Sequence, residues 1–193
     1  MELVFATQNR NKLAEIQQLM PSSIRLKGLM DIGCDEDIPE TRPNLEGNAL
    51  QKAEFVYANY QVNCFSDDTG LEIDALNGEP GVLSARYAGL EKDAAANMAM
   101  VLNKLEGNSN RKARFRTAIA LIIDGKEFLF EGIVEGEIAV GKRGDQGFGY
   151  DPIFIPVGEN RSFAEMTMAE KGTMSHRKRA LDGLLNFLKT LED

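Results

Sequence analysis

The chain has 193 residues, 43% of them hydrophobic and 27% charged, and a formal net charge of -8. This composition excludes disordered and fibrous proteins, and no apolar run approaches the roughly 20 residues that cross a bilayer, so we predict one soluble domain over residues 1–193 with no membrane partner. The N-terminal sequence lacks a secretory signal, and Cys34 and Cys64 are too few for a disulfide framework, so a cytoplasmic location with reduced thiols is predicted.

The negative charge is concentrated in one segment. Residues 31–80 carry twelve acidic and two basic side chains, whereas residues 1–30 sum to +2 and residues 81–193 are balanced. A chain this acidic gains little from counterion release on a duplex, so nucleic acid is not an expected partner. The acidic segment fits either a divalent-cation site or a solvated loop.

The first half of the chain has the pattern of alternating strands and helices. Hydrophobic periodicity predicts a strand at 3–5, a polar loop at 7–12, a helix at 13–20, a strand at 24–29 and a helix at 49–60. A short strand at 64–66 is expected to end at the loop-like sequence Asp67-Asp68-Thr69-Gly70, with period-two alternation following in 71–74.

The sequence pattern of the second half of the chain predicts further helices and strands, and its clearest signal is that of a β-hairpin. In chain order we expect a loop at 77–89, a helix at 95–105, strands at 115–123 and 128–134 joined by Asp124-Gly125, a Gly-rich loop at 144–152, a short helix opened by Ser162 and Glu165, and a final helix capped by Ser175 and reaching Leu191. Interspersed strands and helices with a central hairpin favour an α/β fold with a mixed sheet.

Three carboxylates stand out as metal-ligand candidates. His176 is the only histidine, which excludes a multi-histidine site. Asp67 and Asp68 are adjacent after a strand, and Glu40 lies upstream in the acidic segment. Oxygen ligands of this kind suit Mg²⁺, which commonly combines one or two carboxylates with water and substrate phosphate. A simple turn at the aspartate pair is the alternative.

Two basic regions are candidate phosphate sites. The loop from Thr7 to Lys12 lies between a strand and a helix, where backbone N–H groups and the helix dipole attract anions. Lys171, Arg177, Lys178 and Arg179 place four cations within nine residues. The alternatives are an ordinary capped helix start for the first region and a solvated helix face for the second.

A Gly-rich aromatic sequence completes the candidate parts. In Gly147-Phe148-Gly149-Tyr150-Asp151-Pro152, small residues flank two rings, so that a planar ligand can approach backbone and ring closely, although a packing turn fits as well. Carboxylates, an anion loop, a cationic helix and an aromatic loop together indicate a metal-assisted enzyme acting on a nucleoside triphosphate.

Five motifs in register resemble the non-canonical purine nucleoside triphosphate pyrophosphatase family, which includes the inosine triphosphatases and dITP/XTP pyrophosphatases. They are Thr7-Gln8-Asn9-Arg10-Asn11-Lys12, Ser66-Asp67-Asp68-Thr69-Gly70-Leu71, Gly78-Glu79-Pro80-Gly81 with Ser84-Ala85-Arg86-Tyr87, Gly147-Phe148-Gly149-Tyr150-Asp151-Pro152, and Ser175-His176-Arg177. The resemblance implies an elongated mixed β-sheet with flanking helices, two lobes around a central cleft, and a homodimer. It also implies Mg²⁺-dependent hydrolysis of ITP, dITP and XTP to the monophosphate and pyrophosphate, which keeps these nucleotides out of DNA and RNA.

The resemblance also implies roles for individual residues. Asp68 is expected to be the general base and a metal ligand, with Asp67 or Glu40 as a second ligand. The remaining residues are expected to bind substrate: Thr7, Gln8, Asn9, Arg10, Asn11 and Lys12 at the triphosphate, and Thr69, Phe148, Gly149, Tyr150, Asp151, Lys171, His176 and Arg177 around the nucleotide.

Two positions depart from the family pattern. Gly47 stands where many relatives have a glutamate that can bind metal, so the second carboxylate falls to Glu40, Glu46 or Asp67. Gly172 stands where the family often has asparagine.

The expected mechanism is attack of water on the α-phosphorus, with Asp68 taking the proton and Lys12 and Lys171 offsetting charge on the departing pyrophosphate. Donors from Arg177, His176 or a loop N–H would select bases that carry a 6-oxygen. Two alternatives stay open: a related nucleotide pyrophosphatase with another base preference, such as the septum-inhibitor type, and a nucleotide-binding regulator without turnover.

Overall fold

Six strands form one mixed sheet in the computed structural model, which describes residues 1–191. The strands are β1 (Glu2–Phe5), β2 (Arg25–Lys27), β3 (Cys64–Ile73), β4 (Lys112–Ile123), β5 (Lys126–Ile138) and β6 (Phe154–Pro156), in the spatial order β2-β1-β3-β4-β5-β6. β1 pairs in parallel with both β2 and β3, whereas β5 and β6 pair antiparallel. The α/β class with a mixed sheet is therefore confirmed.

Five α-helices accompany the sheet, and side-chain caps explain where most of them begin. They are α1 (Arg10–Leu19), α2 (Leu45–Tyr60), α3 (Ala94–Lys104), α4 (Met168–Met174) and α5 (His176–Lys189). The side chains of Asn9, Asn44, Asp93 and Thr167 accept backbone N–H groups at the first turns of α1 to α4. Within residues 1–191, no helix is both long enough and apolar enough to cross a membrane.

The predicted hairpin is confirmed. β4 and β5 are joined by Asp124 and Gly125, which have φ angles of 50° and 75°. Positive φ at both central residues is the requirement of the tightest hairpin turn, and aspartate followed by glycine meets it with little strain.

The predicted end of the strand at Ser66 is wrong. β3 continues through Asp67, Asp68, Thr69 and Gly70 as one ten-residue strand. Polar and glycine residues favour a turn only locally, and here the place of β3 in the sheet, next to β4, overrides that preference.

The predicted boundaries near two capping sequences also need correction. Ser162 and Glu165 do form a capping box, but the short helix that it opens is a single 3₁₀ turn, Phe163–Glu165. The same pattern recurs at Thr167 and Glu170, where it opens α4. The loop predicted at 77–89 contains a 3₁₀ helix, Gly81–Arg86.

The contacts divide the chain into two compact units, each with its own apolar core. The first comprises residues 1–68, 117–131 and those from Lys178 onward, and its core includes Phe5 and Phe65, whose rings stack with centroids 4.7 Å apart. The second comprises residues 69–116 and 132–177, with a core built around Phe115, Phe154 and Phe163.

Candidate active site

Side-chain alternation along β3 sends its two aspartates to opposite faces of the strand. Cys64, Ser66 and Asp68 all hydrogen bond to groups of α2. Asp67 instead accepts a hydrogen bond from Lys12 of α1, with Nζ 3.0 Å from Oδ1. Because successive strand residues point to opposite faces, adjacency in sequence does not bring the two carboxylates to one point.

Asp68 belongs to what we call the carboxylate cluster, which consists of Glu40, Asn48, Lys52 and Asp68. Lys52 Nζ lies 2.6 Å from Glu40 Oε1 and 3.7 Å from Asp68 Oδ1. Asn48 Nδ2 donates to Asp68 Oδ2 at 3.3 Å. The side chains of Lys52 and Asp68 are 8% and 13% exposed, so these contacts lie largely out of water.

Burial and charge shift the pKa values of both titratable partners. Burial is the largest influence on the pKa of Asp68 and raises it, and the charges of Glu40 and Asp67 add to the increase. The charges of Lys52 and Lys12 lower this pKa but offset only part of the increase. Burial alone would lower the pKa of Lys52, but attraction to Asp68, Glu40 and Asp67 together outweighs burial and raises it. Lys52 therefore stays charged, while Asp68 is a stronger base than an ordinary aspartate.

The three predicted metal ligands do not form one group. Among residues 1–191, no three histidine, cysteine or acidic side chains are arranged to hold a metal ion. Glu40 and Asp68 are connected through Lys52, whereas Asp67 is paired with Lys12 and its side chain is 0% exposed. Two carboxylates remain together, which is the number that Mg²⁺ commonly takes from a protein when phosphate supplies the rest.

The predicted anion loop is shorter than expected, because α1 begins at Arg10. Asn9 Oδ1 accepts the N–H groups of Asn11 and Lys12 at 3.0 and 3.2 Å, and Thr7 Oγ1 accepts that of Asn9 at 3.2 Å. The first turn of α1 carries no acidic residue, so its positive dipole end is not neutralised within the helix.

Of the other predicted loop residues, one forms hydrogen bonds through its side chain and two are exposed to solvent. Gln8 Nε2 donates to the Glu36 carbonyl at 2.9 Å and to Asp37 Oδ1 at 3.4 Å, so it attaches the acidic segment to the loop. Arg10 and Asn11 are exposed.

The second unit holds what we call the aromatic cluster, which consists of Phe148, Asp151, Lys171 and Arg177. Asp151 Oδ2 accepts from Lys171 Nζ at 2.7 Å and from the Phe148 N–H at 2.9 Å. Lys171 Nζ lies 4.9 Å and Arg177 Cζ 5.7 Å from the Phe148 ring centroid. Arg177 is only 1% exposed, whereas Phe148 is half-buried, so two cations contact a ring that remains partly accessible.

The remaining predicted pocket residues lie close to this cluster or support it. Thr69 Oγ1 accepts from Arg177 Nη2 at 3.3 Å. His176 is buried, with its ring stacked on Phe115 at 4.5 Å. Tyr150 is buried and its hydroxyl donates to the Ser84 carbonyl at 2.7 Å, while Gly149 adopts a φ of 62° in the same loop.

Sequence reasoning missed two members of the carboxylate cluster, Asn48 and Lys52. Both are buried on α2, together with Ala49, Ala53 and Val56. The signal was present: two polar residues four positions apart interrupt an apolar helical face, and buried polar side chains need partners.

Comparison with known proteins decides the family. The model of the Ham1 family matches residues 3–187. This chain belongs to the Ham1 family. The match covers both clusters, so this Ham1-family chain contains every predicted site residue within the matched segment.

Individual relatives agree over nearly their whole length. A protein of Flavobacterium johnsoniae named dITP/XTP pyrophosphatase is 53% identical over 188 residues, which are 97% of this chain and 98% of the relative. The solved Ham1 protein of Staphylococcus aureus superposes with a TM-score of 0.89 at 39% identity, covering 98% of this chain and 99% of that one. A HAM1 protein from Coxiella burnetii gives a TM-score of 0.90 at 39% identity, with the same coverage.

Proposed function

We propose that this chain hydrolyses the non-canonical purine nucleoside triphosphates dITP, ITP and XTP to the monophosphate and pyrophosphate, and so removes them from the nucleotide pool. The observation that carries the proposal is the environment of Asp68. This aspartate is only 13% exposed beside Asn48, Lys52 and Glu40, and its pKa is raised chiefly by burial. It lies in a chain 53% identical to a protein named dITP/XTP pyrophosphatase.

The donor set of the carboxylate cluster supports Mg²⁺ as the cofactor. Glu40 and Asp68 would hold the ion, because they are the two carboxylates that meet around Lys52. Asp67 is the weaker candidate, since it is fully buried against Lys12 on the other face of β3. When bound, Mg²⁺ supplies positive charge for phosphate oxygens that the protein alone does not neutralise.

Asp68 acts as general base in this proposal. It takes a proton from a water molecule while the water oxygen bonds to the α-phosphorus. The bond between the α-phosphorus and its bridging oxygen breaks, and pyrophosphate leaves with that oxygen and its electron pair. Lys12 and Lys52, the cations that contact the two aspartates, offset the charge on pyrophosphate.

The aromatic cluster binds the base in this proposal. Phe148 stacks on the purine, and Lys171 and Arg177 beside its ring offer hydrogen-bond donors to a 6-oxygen. Adenine presents an amino donor at that position, so a buried donor would face a donor and lose its partner. Lys171 therefore serves base selection in place of the pyrophosphate role predicted from sequence.

The setting of the reaction completes the proposal. Cys34 and Cys64 are free thiols, as expected for a protein of a reducing compartment, and this supports the cytoplasm. A homodimer is proposed on the family resemblance.

A substrate panel with a base-removal variant tests the function. Initial rates with dITP, ITP, XTP, GTP and ATP in Mg²⁺ should favour the first three for the wild-type chain, with pyrophosphate as product. Asp68→Asn keeps the shape but loses the proton acceptor, and we expect kcat to fall by about 100-fold or more.

Orthophosphate as the product would contradict attack at the α-phosphorus. Full activity of Asp68→Asn would contradict its role as base. Nucleotide binding with no product from any substrate would favour the regulator alternative.

A further inference from the structure

Asn48 is a buried polar residue whose side-chain amide oxygen and nitrogen both form hydrogen bonds. It is 1% exposed and lies in the first turns of α2. Its Oδ1 accepts the backbone N–H of Arg42 at 2.8 Å, and its Nδ2 donates to Asp68 Oδ2 at 3.3 Å. Because a backbone N–H can only donate, the amide orientation is fixed, with its NH₂ group toward the carboxylate.

We propose that Asn48 is a positioning residue for hydrolysis, which holds the carboxylate of Asp68 in the orientation that receives the proton. This inference deepens the proposed function and rests on it.

The contacts of α2 with Asp68 explain why an amide is needed there. Asn48 and Lys52 are one helical turn apart, and they approach different carboxylate oxygens, Oδ2 and Oδ1. The terminal torsion of an aspartate is intrinsically broad, so a carboxylate approached only by a flexible ammonium can rotate. The short, buried amide adds a directional contact that restricts this rotation.

Asn48 also connects Asp68 to the segment that carries the second carboxylate. Arg42, whose N–H it accepts, lies two residues after Glu40. Asn48 is therefore a second link between the two carboxylates, beside the direct contacts of Lys52. Residues that hydrogen bond to metal-ligating side chains typically contribute about 10–100-fold to metal affinity or activity.

Gln51 provides a matched control because it anchors the same segment through another contact. Its Oε1 accepts the Thr41 N–H at 2.9 Å, and its Nε2 donates to Thr41 Oγ1 at 2.9 Å. If Asn48 acted only by anchoring this segment, loss of Gln51 would have a similar effect.

The test compares kcat and KM for dITP in wild type, Asn48→Ala, Asn48→Asp and Gln51→Ala, with melting temperatures measured alongside. Asn48→Asp is nearly isosteric and keeps an acceptor for Arg42, but it turns an oxygen toward Asp68. We expect kcat of both Asn48 variants to fall about 10–100-fold, with KM changed less than about threefold, and kcat of Gln51→Ala to stay within about threefold of wild type.

Unchanged kcat in both Asn48 variants overturns the inference, and so does an equal loss in Gln51→Ala. A wild-type chain without hydrolysis overturns the proposed function and this inference together, whereas an active wild type with active Asn48 variants overturns the inference alone. If the Asn48 variants do not fold, the side-chain amide NMR signal of Asn48 is compared between wild type and variants that keep Asn48. This signal should shift in Asp68→Asn and stay in place in Gln51→Ala. An unmoved signal in Asp68→Asn overturns the inference.

Discussion

Gly70 is a position in β3 where the absence of a side chain allows another segment to approach. A Cβ atom there would lie 2.7 Å from the carbonyl oxygen of Gly81. Backbone of the 3₁₀ helix cannot move away as a flexible side chain could. We therefore expect Gly70→Ala to lower the free energy of unfolding by about 1–3 kcal/mol, measured by chemical denaturation.

Gly141 is the matched control for this substitution. A Cβ atom at Gly141 would meet nothing within 4 Å, and its φ lies outside the left-handed region. Gly141→Ala should leave stability unchanged or slightly raised. Equal stability of the Gly70 and Gly141 variants would show that the approach of Gly81 is not a packing constraint.

Cys64 makes the free energy of unfolding depend on pH in the alkaline range. Burial raises the pKa of its thiol to about 12, whereas an unfolded cysteine titrates near ~8.5. Between these values the unfolded chain loses a proton that the folded chain keeps, so the stabilising contribution present below pH ~8.5 is lost as pH rises. The free energy of unfolding should fall by about 1.4 kcal/mol per pH unit from this group between pH ~9 and 12.

The difference in free energy of unfolding between wild type and Cys64→Ala, measured at each pH, separates the contribution of Cys64 from that of other titrating groups. Denaturation curves at several pH values should give a steeper decline for wild type than for the variant. Parallel declines would mean that the thiol does not keep its proton in the folded state.

The sequence singled out Asp68 and Glu40 as candidates, but not Asn48 and Lys52, which contact Asp68. An aspartate pair followed by Thr69 and Gly70 is visible in one line of sequence. Asn48 and Lys52 reach Asp68 only because α2 packs along one face of β3, and that packing depends on tertiary structure. Motif spacing therefore indicates candidate chemical groups more readily than the buried residues that contact them.

At the scale of elements, the full length of β3 gives its two aspartates different contacts. A turn at this point would have allowed both carboxylates to face one ion, as the sequence suggested. In a strand they alternate, so Asp68 meets α2 and Asp67 meets Lys12 of α1.

This alternation predicts unequal effects on metal dependence. Glu40→Gln should raise the Mg²⁺ concentration for half-maximal hydrolysis by at least about tenfold, because it removes one of the two carboxylates that meet at Lys52. Asp67→Asn should leave that concentration within about threefold of wild type and act mainly on KM through Lys12. A Mg²⁺ titration of initial rates checks both, and an equal shift in the two variants would argue that Asp67 holds the ion as Glu40 does.

The boundaries of helices and strands were predictable where one local sequence specifies the turn. They were ambiguous where the same capping pattern occurs twice in succession. The hairpin at Asp124 and Gly125 was predicted because its turn type demands those residues. The Ser-x-x-Glu and Thr-x-x-Glu boxes near residue 165 are equivalent as patterns, and only the downstream one opens an α-helix. The length of helix that follows a cap depends on packing that the pattern does not contain.

At the scale of the whole molecule, the two compact units contain different clusters of polar side chains. The first unit contains the carboxylate cluster, in the acidic part of the chain, and the second contains the aromatic cluster with its buried cations. The -10 charge of residues 31–80 thus accompanies two carboxylates suited to a metal ion, while Lys12, Lys171 and Arg177 lie outside that segment. This division accounts for how an acidic protein can take a triphosphate as substrate.

Hydrolysis of dITP in water enriched in oxygen-18 tests the central claim most directly, because the heavy atom marks the phosphorus that water attacks. With Asp68 directing water to the α-phosphorus, mass spectrometry should find the label in deoxyinosine monophosphate and none in pyrophosphate. Label in pyrophosphate, or release of labelled orthophosphate, would contradict the account.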